Sequence, residues 1–358
     1  MNSEIPHIEA ALTPPLWTAE FEGIGGTLKE SPEDFRVMEI PAYSASGKGD
    51  FLWLTVEKRD LAHGELLRRF KNILGLHSKE IGFAGAKDKR AITTQTMTVP
   101  SHVEDQLKRL EGPDLQILHV DRHEQRIRMG HLRGNAFSLK IRNTHEDAKT
   151  RVETILASLR PVGFPNYFGE QRFGDKGKNI HRGLKLLSRI DQGKKIQRSF
   201  ENTIALSSVQ SWLFNLAVTR RIADGRFNRV ILGDVMKKRE TGGLFVAEEL
   251  DIETARLQKG ETTPTGPIYG RKMWWPNDEA RVFEESVLEL VGLSEDSFAR
   301  TRKLMLGTRR PIGVVPDGVQ VEMAKEDGHV LRLDFALPKG SYATVLLREI
   351  MKLPTPSP

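Results

Sequence analysis

The chain of 358 residues is long for a single core, since cores stop growing near about 250 to 300 residues, so two domains are expected. It contains no cysteine, which excludes disulfides and thiolate metal sites and points to a reducing, cytoplasmic location, and 38% hydrophobic with 28% charged residues is a globular balance. No apolar run approaches the roughly 18 residues needed to span a bilayer, the opening lacks a secretion leader pattern, and a net charge of +6 leans toward polyanionic partners without excluding an ordinary, mildly basic enzyme.

In chain order, "FRVMEI" (Phe35 to Ile40) and "FLWLTVEK" (Phe51 to Lys58) alternate as strands of an antiparallel sheet, with "SASGKGD" as a flexible connector. "GELLRRFKNILGL" then spaces Leu66, Leu67, Phe70, Ile73 and Leu74 as a helix packed on that sheet, stopped by Gly75. "IGFAG" (Ile81 to Gly85) and "ITTQTMTV" (Ile92 to Val99) have strand composition, so the charged "AKDKRA" between them is a loop at a sheet end. Strands are expected at "LQILHV" (Leu115 to Val120), "QRIRMG" (Gln125 to Gly130) and "NAFSLKI" (Asn135 to Ile141), and a helix from near Thr144 that carries Val152, Ile155, Leu156 and Leu159. "RPVGFPNYFG" breaks it. From Ser207 the texture becomes helical, with a stripe of Val209, Trp212, Leu213 and Leu216, and "TTPTGPIYG" (Thr262 to Gly270) reads as a turn-rich loop of a second domain. "HVLRLDFALP" is again a strand, followed by a helix begun at Ser341.

Common phosphate-binding, dinucleotide, zinc-hydrolase and serine-hydrolase motifs are absent, and the ten histidines show no ligand-like pairing, which favours a metal-independent function. In "FAGAKDKRAITTQ" a lone acid, Asp88, stands between Lys87 and Lys89 with Arg90 beside it. Three nearby cations favour its ionised form, which suits nucleophilic attack or proton abstraction. Composition alone makes a solvated turn the more ordinary reading, and spacing does not decide between them. Aromatic residues lie close to cations at Phe35, Phe137 and in "NYFGEQRFG", the pairing that holds single-stranded RNA, although most phenylalanines are core residues. Trp274 and Trp275 read as a packing anchor.

At "GAKDKRAITTQ" the chain resembles the TruD family of tRNA pseudouridine synthases nearly residue by residue. "LKESPEDFRVMEI", "LRGNAFSLKIRN", "GFPNYFGEQRFG", "SSVQSWLFN" and "LPKGSYATVLLREI" resemble further family segments in order, so that the likeness runs from about Leu28 to about Met351. The resemblance implies an α+β fold: a pseudouridine synthase catalytic domain around a mixed, mainly antiparallel sheet, with an α/β TruD-type insertion domain. The implied boundaries are 1–162 and 308–358 for the catalytic domain and 163–307 for the insertion. It also implies a cofactor-free and metal-free isomerase acting on a tRNA uridine, characteristically at position thirteen, with tRNA as its partner. Asp88 is then the catalytic carboxylate, and Lys29, Phe35, Asn135 and Phe137 are substrate-binding residues, with Gly134 allowing close backbone approach. A non-catalytic RNA-binding or RNA-folding protein is the alternative that composition supports equally.

Overall fold

The period-two alternation of Phe35–Pro41 is realised as a strand, β2, that buries Phe35, Val37 and Glu39 and turns Arg36 and Met38 to solvent. The computed structural model describes residues 8–324 and 329–353. The expectation of no leader at the first residues and the unmatched tail concern, at 1–7 and 354–358, residues outside that range. Among the described residues no helix is long and apolar enough to cross a membrane. The chain divides into two compact units.

One unit, built from Ile24–Glu153 and Pro316–Gly340, is organised around a nine-stranded sheet. Its strands from the first part are β1 (Gly25–Leu28), β2, β3 (Phe51–Arg59), β4 (Gly82–Phe83), β5 (Ile92–Pro100), β6 (Leu115–His123) and β7 (Leu132–Thr144). Across the sheet the order is Asp317–Met323, Leu331–Pro338, β7, β2, β5, β3, β6, with β1 added to β7 and β4 to β5. Only the β2–β5 pair is parallel, so the sheet is mixed and mainly antiparallel, as expected. The helix His63–Leu74 buries Leu66, Phe70 and Leu74 in one cluster with Leu52, Leu54, Val56, Met97 and Val99. Each such buried side chain contributes about 1.5 to 3 kcal/mol. Gly75, at φ 66°, ends the helix in the left-handed conformation that glycine adopts without steric cost.

Two expectations in this unit are corrected. "QRIRMG" is no strand: Ile127 N–H donates to Thr98 Oγ1 (3.0 Å) and Gly130 N–H to the Ala84 carbonyl (2.8 Å), so its donors go to a side chain and a loop rather than to a ladder. The helix expected near Thr144 begins at Ala148, because β7 continues through Thr144 to pair Gly25. Gly134 is required by the sheet itself, since a Cβ there would lie 2.1 Å from the Leu337 carbonyl oxygen.

The other unit comprises the remaining described residues. Its centre is the helix Phe200–Ala223, capped by Ser199, whose hydroxyl accepts from Asn202 N–H at 3.1 Å. Val209, Trp212, Leu213 and Leu216 are all buried there. The helix Lys178–Asp191 lies close against it at Gly183, where a Cβ would meet the Ala205 carbonyl at 2.3 Å. "TTPTGPIYG" is not a loop: Thr262–Ile268 is a buried strand of a four-stranded sheet. It pairs with Val235–Lys238 over Thr262–Pro264 and with Thr308–Pro311 over Thr265–Ile268; Pro267 lies in a stretch paired on one side only, and the Pro264 carbonyl also accepts from Ile312 N–H at 3.1 Å. The last helix runs Ala343–Met351 with Tyr342, not Ser341, at its N-cap. Thr18 and Glu349 are hydrogen-bonded at 2.6 Å, which ties the chain before Gly23 to that helix. Along the chain the two compact units change at Gly23–Ile24, Glu153–Thr154, Val315–Pro316 and Gly340–Ser341.

Candidate active site

Asp88 lies on the loop between β4 and β5, and its side chain is 57% exposed. Lys29, directly after β1, places Nζ 3.2 Å from Asp88 Oδ2 and 3.9 Å from the centroid of the Phe35 ring. Its backbone is left-handed (φ 60°), a conformation costing a lysine roughly 1 to 2 kcal/mol. The next residues hold that turn: Asp34 is buried, accepts from Arg142 Nη2 (2.8 Å) and Nε (3.1 Å), and accepts from Ser31 N–H (3.0 Å). Burial works against the Asp34 carboxylate, but these hydrogen bonds outweigh it and lower its pKa.

Phe35 and Phe137 meet edge to face at 6.3 Å, and Phe137 stacks on Phe335 at 5.1 Å. The register explains the grouping. β2 and β7 pair Val37 with Phe137 and Glu39 with Asn135, so all four point to the face that carries Phe35. Lys29, Asp88, Phe35 and Phe137 are thereby linked through direct contacts. Asn135 shares the face but makes no hydrogen bond to Asp88, and its Oδ1 is buried without a partner among the described residues.

The cations flanking Asp88 act differently from what their proximity in sequence implies. Lys87 turns inward to Glu39 Oε2 (2.8 Å), with both side chains nearly inaccessible, while Lys89 and Arg90 are exposed. The loop is instead held from below by Lys58, a fully buried lysine that donates to the carbonyls of Asp88 (2.6 Å) and Leu61 (2.7 Å). Burial pushes the Lys58 ammonium down to about 8, with Asp88 and Asp60 opposing the shift. His63, also lowered by burial and by the charges of Lys58 and Lys87, stays neutral at pH 7.

Lys58 and Glu39 were overlooked as site residues, yet both occupy inward positions of alternating strands, in phase with Leu52, Leu54 and Val56 and with Phe35 and Val37. A charge in phase with apolar positions is the signal that identifies them. Thr93 and Gln95 complete the same face, with Thr93 Oγ1 and both Gln95 amide atoms buried and unpartnered among the described residues. A groove of about 420 Å³ lies on the opposite face, lined by Arg36, Met38, Thr94, Ser138 and Gln320 among others, and does not contain Asp88. Chemically, an outward carboxylate beside an ammonium and an aromatic pair can attack an electrophilic carbon or remove a proton next to a stacked ring.

Known proteins resemble the chain over most of its length. The sequence matches the model of tRNA pseudouridine synthase D (TruD) over residues 12–196 and 195–350, so the match starts earlier than Leu28. It is 40% identical over 342 residues to the tRNA pseudouridine synthase D of Anaeromyxobacter sp. (strain Fw109-5), covering 94% of this chain and 96% of that protein. To that of Thermus thermophilus it is 41% identical over 340 residues, covering 95% of this chain and 92% of that protein. A crystal structure described as putative TruD of Methanosarcina mazei superposes with a TM-score of 0.77 at 25% identity, covering 98% of this chain and 99% of that one. The chain belongs to the tRNA pseudouridine synthase D family.

Proposed function

We propose that the protein isomerises uridine to pseudouridine in tRNA, at position thirteen, without a cofactor, and that it does so in the cytoplasm. The observation that carries this reading is the Asp88 carboxylate, held outward with Lys29 at 3.2 Å beside the Phe35 and Phe137 rings. A simple RNA binder has no need of a carboxylate there, where it would repel phosphate. The catalytic domain is taken as discontinuous, interrupted at 163–307.

The reaction breaks the bond from C1′ of the ribose to N1 of uracil, turns the base, and joins C5 to C1′; the C5 hydrogen leaves as a proton and N1 takes one up. The target base leaves its stack, at a cost of a few kcal/mol, and is received by Phe137 and Phe35. Asp88, ionised, adds to C1′ or C6 or takes the proton at C2′. Lys29 orients the carboxylate, and Asn135, on the same strand face as Phe137, hydrogen-bonds the base or fixes the Asp88 loop. Incubating unmodified tRNA with the protein and mapping pseudouridine along the product tests the reading: conversion confined to position thirteen is expected. Conversion elsewhere overturns the position, and none at all overturns the activity.

A further inference from the structure

Beyond the C-terminal end of β2 and before β7 stands a second ordered surface that shares no residue with the Asp88 site. Tyr43, 36% exposed, stacks on His123 at 5.3 Å with 19° between the rings. Trp53 (5.6 Å) and His131 (5.8 Å) meet it at other sides. Tyr43 Oη lies 2.7 Å from His131 Nδ1, and Ser46 N–H donates to His123 Nδ1 at 3.1 Å, so packing and hydrogen bonds together fix the rings. A surface tyrosine with this much support is preorganised for stacking.

Cations predominate around it, although Asp121, opposite Trp53 across β3 and β6, shares the face of His123. Arg128 and Arg133 are exposed and form no ion pair with a described residue, and Arg128 is near enough to act on the Tyr43 phenol. Lys339 Nζ is held by the Gly130 carbonyl at 3.2 Å, while its backbone N–H donates to the Arg133 carbonyl at 2.8 Å. The nearby acids Glu124 and Glu104 are taken up by Lys48 (3.2 Å) and Arg122 (2.5 Å). Unpaired guanidinium groups around an aromatic face are what single-stranded RNA requires: cations for phosphates and a ring for a base.

We infer that Tyr43 and His123 form a base-stacking platform, and that Arg128, Arg133 and Lys339 hold the flanking phosphates, making this a second RNA contact point. The inference rests on the tRNA reading above. β2 carries Phe35 of the Asp88 site at one end and leads toward Tyr43 at the other, and Glu39, which faces Asn135 across the ladder, is still roughly 13 Å short of Tyr43, so the stacked nucleotide is not the reacting one.

The test measures binding of unmodified tRNA to the full chain, and single-turnover conversion at saturating tRNA. Tyr43→Ala is expected to weaken binding by about 5- to 100-fold and to leave the saturated rate unchanged, and Tyr43→Phe, which keeps the ring, to stay within about twofold of wild type. Wild-type affinity in Tyr43→Ala, or an equal loss in Tyr43→Phe, overturns the platform. The double variant Arg128→Gln/Arg133→Gln, at exposed positions whose change does not threaten folding, should reduce the slope of log affinity against log salt by about 1.4 to 1.8. An unchanged slope also overturns it. If wild-type protein binds tRNA but converts none, the isomerase reading fails while the platform is still judged by binding.

Discussion

Replacing Lys58 by methionine sets two effects of opposite sign against each other. The lysine is fully buried and its pKa falls from 10.5 to about 8. At pH 7 the burial of its charge therefore costs about 3 kcal/mol, which methionine relieves. Methionine, however, leaves the carbonyls of Asp88 and Leu61 without their donor, at about 1 to 3 kcal/mol each. The net change in stability at pH 7 should lie between about 1 kcal/mol gained and about 3 kcal/mol lost. Between pH 8 and 10.5 the unfolded chain holds the Lys58 proton and the folded chain does not, so wild-type stability gains from this group as pH rises through that window. The variant lacks the gain, and wild type should improve on it by about 3 kcal/mol across that window in urea unfolding. Activity should not be neutral. On the proposed chemistry, displacing the Asp88 loop by about 1 Å costs on the order of 100-fold, read as the single-turnover rate on tRNA. A stability difference flat in pH, together with a rate within threefold of wild type, would refute the role given to Lys58.

Phe137→Ala should weaken tRNA binding by about 1 to 3 kcal/mol through the lost stack; unchanged binding in a folded variant would return Phe137 to a packing role beside Phe335. Gln95→Met should raise the unfolding free energy by about 1 to 3 kcal/mol, because it removes a buried amide that has no partner among the described residues, whereas a loss above about 2 kcal/mol would show that it has one. Gly134→Ala forces a Cβ against the Leu337 carbonyl and should lower the urea midpoint by the equivalent of about 2 kcal/mol or more; a wild-type midpoint would contradict the register of β7.

Much of the sheet was legible because its strands alternate: Phe35–Pro41 and Phe51–Arg59 bury the positions that period two selects. What failed to show was set by non-local partners. Thr262–Ile268 reads as turns because of Pro264, Gly266 and Pro267, and becomes a strand only because its two halves pair with different neighbours. Gln125–Gly130 has strand composition, but its donors are claimed by Thr98 and Ala84. At the site, Asp88 and Lys29 were legible through resemblance, while the ion pair that matters for Asp88 joins residues 59 positions apart. Lys87 adjoins Asp88 in sequence but faces Glu39, because a side chain next in sequence need not point the same way as its neighbour.

The central claim is that Asp88 performs chemistry on a uridine. Tritium release from tRNA labelled at uridine C5, compared between wild type and Asp88→Asn, tests it most directly, since the substitution preserves size and removes the anionic carboxylate. The account predicts stoichiometric release by wild type and none by Asp88→Asn, with tRNA binding retained in both. Release by Asp88→Asn within tenfold of wild type would contradict it.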